Sequence, residues 1–103
     1  MAKKIVQVSF KYKVSESDLL KAFEAGAQDF VDMKGLEWKI WLAPDPVKKT
    51  AGGVYFFKDE KSANDFLKGE VFANVKKHPA LSDVEAKISD ILPELTKRTR
   101  GPI

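Results

Sequence analysis

Two short segments of this sequence place apolar residues on both faces of a strand, which limits the folds that the chain can adopt. Residues 5–10 read IVQVSF and residues 54–57 read VYFF. Both are rich in β-branched and aromatic residues, which favour strands. Successive side chains of a strand point to opposite faces of the sheet. We therefore expect a sheet that is apolar on both faces and needs a cover on each side.

Helical spacing of apolar residues appears in three places. Residues 15–34 begin with Ser15, a good N-terminal cap, and have acidic residues in the first turn. Residues 59–69 predict a shorter helix with Asp59 as its cap, and residues 70–78 predict a further helical piece. The chain thus offers one long helix and one compact helical region.

Two more segments alternate apolar and polar residues and predict strands: residues 36–42 and 81–92. The resulting order is β-α-β-β-α-β, which is the ferredoxin-like α+β fold. We expect a four-stranded antiparallel sheet with both helices on one face. Residues 1–92 would form this domain, and residues 93–103 would form a basic C-terminal arm.

Both tryptophans lie in the second predicted strand, three residues apart. On a regular strand Trp38 shares a face with Leu36 and Ile40, and Trp41 points the other way. We assign Trp38 to the face covered by the helices and Trp41 to the second face.

The second face needs a cover that the arm alone is too short to supply. A second copy of the chain, packed sheet against sheet, would provide it in a symmetric homodimer. The predicted interface carries Trp41, Val54 and Phe56.

Composition excludes several kinds of site. The 103 residues include no cysteine and one histidine, so cysteine chemistry and multi-histidine metal sites are excluded. The net charge of +3 is too small to indicate nucleic acid. RNA-recognition domains share the predicted strand order, but Gly52 and Val54 stand where their stacking aromatics would be. No apolar stretch approaches the roughly 20 residues that a membrane span needs. No export signal appears either, so we expect a cytoplasmic protein with no membrane partner.

The aromatic residues suggest a pocket between the sheet and the helices. A flat aromatic molecule would suit an apolar pocket with few polar groups. A plain aromatic core would use the same residues, and the sequence leaves both interpretations open. The candidate substrate-binding residues are Phe10, Trp38, Phe57, Phe66 and Phe72.

Two residues are candidates for catalysis. Tyr55 would offer a hydroxyl to the pocket, and His78 is the only histidine, the residue type that titrates nearest neutrality. The alternative for His78 is an incidental loop residue before Pro79.

The segments GLEWKIWLAPDPVKKTAGGVYFFKDEKSANDFL and HPALSDVEAKISDI carry a recognisable pattern. It consists of W-K-x-W, then A-G-G-x-Y-x-F-x-D-E-x-S-A, then V-x-A-K. The pattern resembles the YdhR-like putative monooxygenase family of the dimeric α+β barrel superfamily. The resemblance implies a dimeric barrel and a monooxygenase role.

The resemblance also implies what chemistry to expect. Cofactor-free oxygenases of the superfamily let the deprotonated substrate give an electron to oxygen, while the protein supplies burial, orientation and a proton acceptor. Haem-degrading members carry a histidine about one turn after a residue like Phe72, where this chain has Lys76. We therefore expect no haem, no other cofactor and no metal. The expected function is a cofactor-independent monooxygenase acting on a small aromatic or quinol-like molecule. The alternative is a non-catalytic binding or interaction protein on the same scaffold.

Overall fold

The computed structural model describes residues 2–103 as a four-stranded antiparallel sheet with three helices packed on one face. Its strand order is β2-β3-β1-β4, so the predicted ferredoxin-like fold is confirmed. No helix within this range is long and apolar enough to cross a membrane. The elements are β1 (Lys4–Tyr12), α1 (Glu16–Val31), β2 (Leu36–Asp45), β3 (Thr50–Phe57), α2 (Glu60–Lys68), α3 (Glu70–Lys77), β4 (Leu81–Asp90) and α4 (Pro93–Arg98).

The two predicted helix caps are both present. The Ser15 side chain accepts a hydrogen bond from the backbone N–H of Asp18 at 3.1 Å. The Asp59 carboxylate accepts one from the N–H of Ser62 at 2.8 Å, which lowers the pKa of Asp59. Each cap satisfies a backbone donor that the first helical turn leaves free.

The core lies between the helices and one face of the sheet. Val6 and Tyr55 lie directly opposite each other across β1 and β3, so both side chains point to this face. Its buried members include Val6, Val8, Tyr55, Phe57 and Phe66. Apolar burial at this interface is the main stabilising contribution to the fold.

A β-bulge near the start of β2 changes the expected alternation. Leu36 pairs with Phe57, but Trp38 pairs with the next residue, Phe56, so Glu37 is an extra residue in the strand. The bulge reverses the facing of every later residue relative to Leu36. Trp38 therefore lies on the second face and Trp41 on the helix face, and both of our assignments for these residues were wrong.

The second face is partly covered by the chain's own C-terminus. Phe56 is fully buried, and the Trp38 ring stacks on it at a centroid distance of 5.1 Å. The Trp38 Nε1–H donates to the carbonyl oxygen of Pro102 at 2.9 Å. Ile40 and Leu42 nevertheless remain 51% and 45% exposed on this face. The arm thus shields one part of the face and leaves an apolar part open.

Candidate functional site

A cavity of about 180 Å³ lies between the helix face of the sheet, α1 and α3. Strands β1, β2 and β3 form its floor, and α1 forms one wall. The lining is mostly apolar, as expected for a small-molecule site. Its aromatic members are Phe10, Phe23, Phe30, Trp41 and Tyr55.

The aromatic rings of the lining contact one another around Trp41. The Trp41 ring centroid lies 5.4 Å from that of Phe23 and 5.6 Å from that of Phe30. Phe30 in turn lies 5.6 Å from Tyr55. These distances are in the range of favourable edge-to-face and tilted pairs, so the rings support each other's positions.

The amine of Lys39 lies against these rings. Its Nζ is 3.4 Å from the centroid of Trp41, 3.5 Å from that of Phe30 and 4.6 Å from that of Tyr55. Among residues 2–103, no carboxylate forms an ion pair with it. Lys39 is therefore a cation whose immediate surroundings are ring faces.

Burial shifts the protonation equilibrium of Lys39. Removal from water disfavours the ammonium form and lowers its pKa to about 7. The cation–π contacts act in the opposite direction because they favour the charged form. Near neutral pH this amine can thus exist in both the charged and the neutral form.

Glycines in β3 make room for this arrangement. A Cβ on Gly53 would lie 3.2 Å from Lys39 Cε and 3.4 Å from Tyr55 Cε1, closer than side chains normally pack. A Cβ on Gly52 would overlap the backbone carbonyl of Val8 in β1. This glycine pair therefore permits the close approach of the neighbouring backbone and side chains.

Tyr55 lies directly opposite Lys39 across the β2–β3 pair. Its side chain is buried, and burial raises its pKa above the ordinary tyrosine value. The hydroxyl therefore stays protonated at neutral pH and can donate a hydrogen bond. The two residues present a protonated hydroxyl and an amine to one cavity.

The other polar members of the lining are exposed and lie at its solvent side: Asp29, Asn74 and His78. His78 Nδ1 accepts a hydrogen bond from the backbone N–H of Ala80 at 3.1 Å. In the neutral ring this bond assigns the proton to Nε2, which then acts as a donor.

Residues 5–102 match the family described as "Putative mono-oxygenase ydhR". The chain belongs to this family. A comparison with curated proteins finds no match.

Several solved structures share the fold of this YdhR-family chain at low sequence identity. A protein of unknown function from Nitrosomonas europaea has 23% identity and a TM-score of 0.69, covering 89% of this chain and 91% of its own. SnoaB, a cofactor-independent oxygenase from Streptomyces nogalater, has 13% identity and a TM-score of 0.71, with coverages of 89% and 95%. A "putative antibiotic biosynthesis monooxygenase" from Deinococcus radiodurans has 12% identity and a TM-score of 0.68, with coverages of 86% and 92%.

The predicted site residues of the YdhR-family chain are divided between three places. Phe10, Tyr55 and His78 line the cavity. Trp38 lies on the other face of the sheet, because of the bulge. The remaining three lie in the core without lining the cavity: Phe57, Phe66 and Phe72.

Phe66 connects that core to the cavity. Its ring centroid lies 4.9 Å from Tyr55, 5.6 Å from Phe57 and 5.2 Å from Phe72. These rings support Tyr55 from behind, so their contribution to the site is through packing.

The lining residues that sequence reasoning missed include Phe23, Phe30, Lys39 and Trp41. Lys39 stands between the two tryptophans of the W-K-x-W pattern, which was the available signal. Recognising its position required knowledge of the bulge. Residues 2–103 contain no group of three or more His, Asp or Glu side chains arranged as a metal site.

Proposed function

We propose that this protein is a cofactor-independent monooxygenase of a small aromatic or quinol-like molecule bound in the cavity beside Lys39. The observation that carries the proposal is the pairing of Lys39 and Tyr55 inside aromatic walls. Membership of the "Putative mono-oxygenase ydhR" family supports the reaction class. The structural likeness to SnoaB, a cofactor-independent oxygenase, is consistent with chemistry that needs no bound cofactor.

The cavity volume limits the size of the substrate. An apolar cavity of roughly 150 Å³ accepts a benzene-sized molecule, and the cavity here measures about 180 Å³. One aromatic ring with small substituents therefore fits. The rings of Phe23, Phe30 and Trp41 offer faces and edges on which such a ring can stack.

In the proposed reaction the substrate itself supplies the electrons and the protons that reduce O₂. An ionised hydroxyarene transfers an electron to O₂, and recombination at a ring carbon forms a C–O bond. Cleavage of the O–O bond then leaves a C=O on the product and releases water. For the tautomer with a ring CH₂, the balance is CH₂ + O₂ → C=O + H₂O. The protein would supply orientation, exclusion of bulk water and groups that move protons.

Oxygen consumption tests this function. We expect wild-type protein to consume O₂ with one or more monocyclic hydroquinones or catechols, with a chelator present and no flavin added. Tyr55→Phe should lower the rate by about 10- to 100-fold, since it removes one positioned hydrogen-bond donor. Tyr12→Phe is the matched control, because Tyr12 is buried but lines no part of the cavity.

The alternative is a non-catalytic protein that binds small aromatic molecules. It would be favoured if these compounds bind in the cavity while none supports O₂ uptake above the rate without protein. Equal rates for wild type and Tyr55→Phe would also contradict the assigned site.

We further propose that the protein is a homodimer formed through the second face of the sheet. Ile40, Leu42 and Val54 form an apolar patch there, which we call the open patch. Contiguous exposed apolar surface of this kind usually marks an interface. A second copy would meet the same residues across a two-fold axis. Of the interface residues expected from the sequence, Val54 stays in the proposal, Phe56 lies beneath Trp38, and Trp41 is on the other face.

A further inference from the structure

We infer that Lys39 takes the proton from an acidic hydroxyl of the substrate and then binds the resulting phenolate or enolate oxygen. The inference rests on the proposed function for the location of the site. It goes further because it names the ionised form of the substrate and the residue that selects it.

The Lys39 amine has no oxygen partner of its own. An ammonium group has three N–H donors. In the described range 2–103, none of them donates to an oxygen atom, and the nearest groups are the rings of Trp41, Phe30 and Tyr55. Ring faces stabilise the positive charge but leave these donors without a strong acceptor. An anionic oxygen entering the cavity would satisfy them.

The other titratable groups that face the cavity come from three elements: Asp29 from α1, Tyr55 from β3 and His78 after α3. Asp29 forms no ion pair with Lys39 and is exposed. His78 Nδ1 already accepts from Ala80. Tyr55 is held in its protonated form by burial. Lys39 is consequently the cavity group best placed to accept a proton.

The proton transfer balances without any further reactant. A substrate ArOH and the neutral amine R–NH₂ give ArO⁻ and R–NH₃⁺, with no change in total charge. The ion pair that results is stronger among apolar rings than in water, because the local dielectric constant is lower. Tyr55, opposite Lys39, can donate a second hydrogen bond to the same oxygen. The outcome is a substrate held as the electron-rich anion.

Anaerobic binding of 4-nitrophenol tests the inference, because its absorption spectrum distinguishes the phenol from the phenolate. Its methyl ether, 4-nitroanisole, has the same ring but no acidic proton. At a pH below the solution pKa of the probe, we expect wild type to bind it as the anion, about tenfold more tightly than the ether. The apparent pKa of the bound probe should fall by about one unit.

Variants of Lys39 separate its role from general packing. Lys39→Met should bind the phenol in neutral form and with the same affinity as the ether. Lys39→Arg should keep the preference for the anion but lose its role as proton acceptor, because arginine does not give up its proton near neutrality. Lys48→Met, at an exposed lysine of the β2–β3 turn, should behave as wild type. Circular dichroism checks that each variant is folded. If Lys39→Met does not fold, Lys39→Gln replaces it.

The inference is overturned if wild type binds the probe as the neutral phenol, or not at all. It is also overturned if Lys39→Met and wild type bind the same ionised form equally well. These outcomes are independent of turnover, because oxygen is absent from the assay. Anion binding without any O₂ uptake would leave the inference standing and remove the monooxygenase proposal. O₂ uptake with a substrate that is bound as the neutral phenol would leave the monooxygenase proposal standing and remove the inference.

Discussion

The Lys39 amine lies among three aromatic rings, and burial there lowers its pKa to about 7, from 10.5 for an unperturbed lysine. Between these two values the unfolded chain binds more protons at Lys39 than the folded chain does. The contribution of Lys39 to the free energy of unfolding therefore rises with pH across this range. Below about pH 7 the folded protein carries the full cost of a buried ammonium.

Replacement of Lys39 by methionine should remove this pH dependence. We expect Lys39→Met to gain stability relative to wild type at about pH 6, and the gain to shrink by about 1–2 kcal/mol toward pH 10. This magnitude is reduced because the side chain is only half-buried and partly screened by solvent. Urea unfolding at several pH values measures the difference, with Lys48→Met as a variant that should track wild type. A difference between Lys39→Met and wild type that does not vary with pH would contradict the prediction.

At the scale of elements, the bulge in β2 explains which predictions were confirmed and which failed. Helix starts follow from Ser15 and Asp59, because a cap depends on chemistry within three residues. Strand pairing follows from β-rich composition and the strand order of a known fold. The extra residue at Glu37 depends on how β2 meets β3, and no residue near it forecasts that contact. This one extra residue places both tryptophans and Lys39 on the faces opposite to those that regular alternation from Leu36 predicts.

The C-terminal segment covers part of β2 on the second face of the sheet. Pro102 accepts the Trp38 Nε1–H, and Trp38 shields Phe56. Removing residues 101–103 takes away this hydrogen bond and exposes the stacked rings. We expect a loss of about 1–3 kcal/mol in the free energy of unfolding, from one hydrogen bond and the apolar area uncovered.

Tryptophan fluorescence can localise the effect of this truncation, since the chain has only two tryptophans. In a Trp41→Phe background the emission comes from Trp38, and truncation should shift it to longer wavelength. In a Trp38→Phe background the emission of Trp41 should not change, because Trp41 lies on the helix face. A shift of Trp41 emission alone would mean that the C-terminus supports the cavity rather than the second face.

At the scale of the whole molecule, β2 connects two faces with different roles. Lys39 and Trp41 point into the cavity, while Trp38, Ile40 and Leu42 point to the second face. The strand is thus shared between the proposed reaction site and the proposed dimer interface. An interface on the second face would hold β2 in place and so limit movement of Lys39 relative to Tyr55.

The proposed dimer can be tested at the open patch defined by Ile40, Leu42 and Val54. A lysine in place of Leu42 would bring two like charges together across a two-fold axis and would remove apolar contact area. We expect wild type to have twice the mass of one chain by light scattering at micromolar concentration, and Leu42→Lys to have the mass of one chain. Val47→Lys is the matched control, because Val47 is 89% exposed on the β2–β3 turn and lies outside the patch. A wild-type mass equal to one chain would show that the patch needs no second copy. A Leu42→Lys mass equal to wild type would place any interface elsewhere.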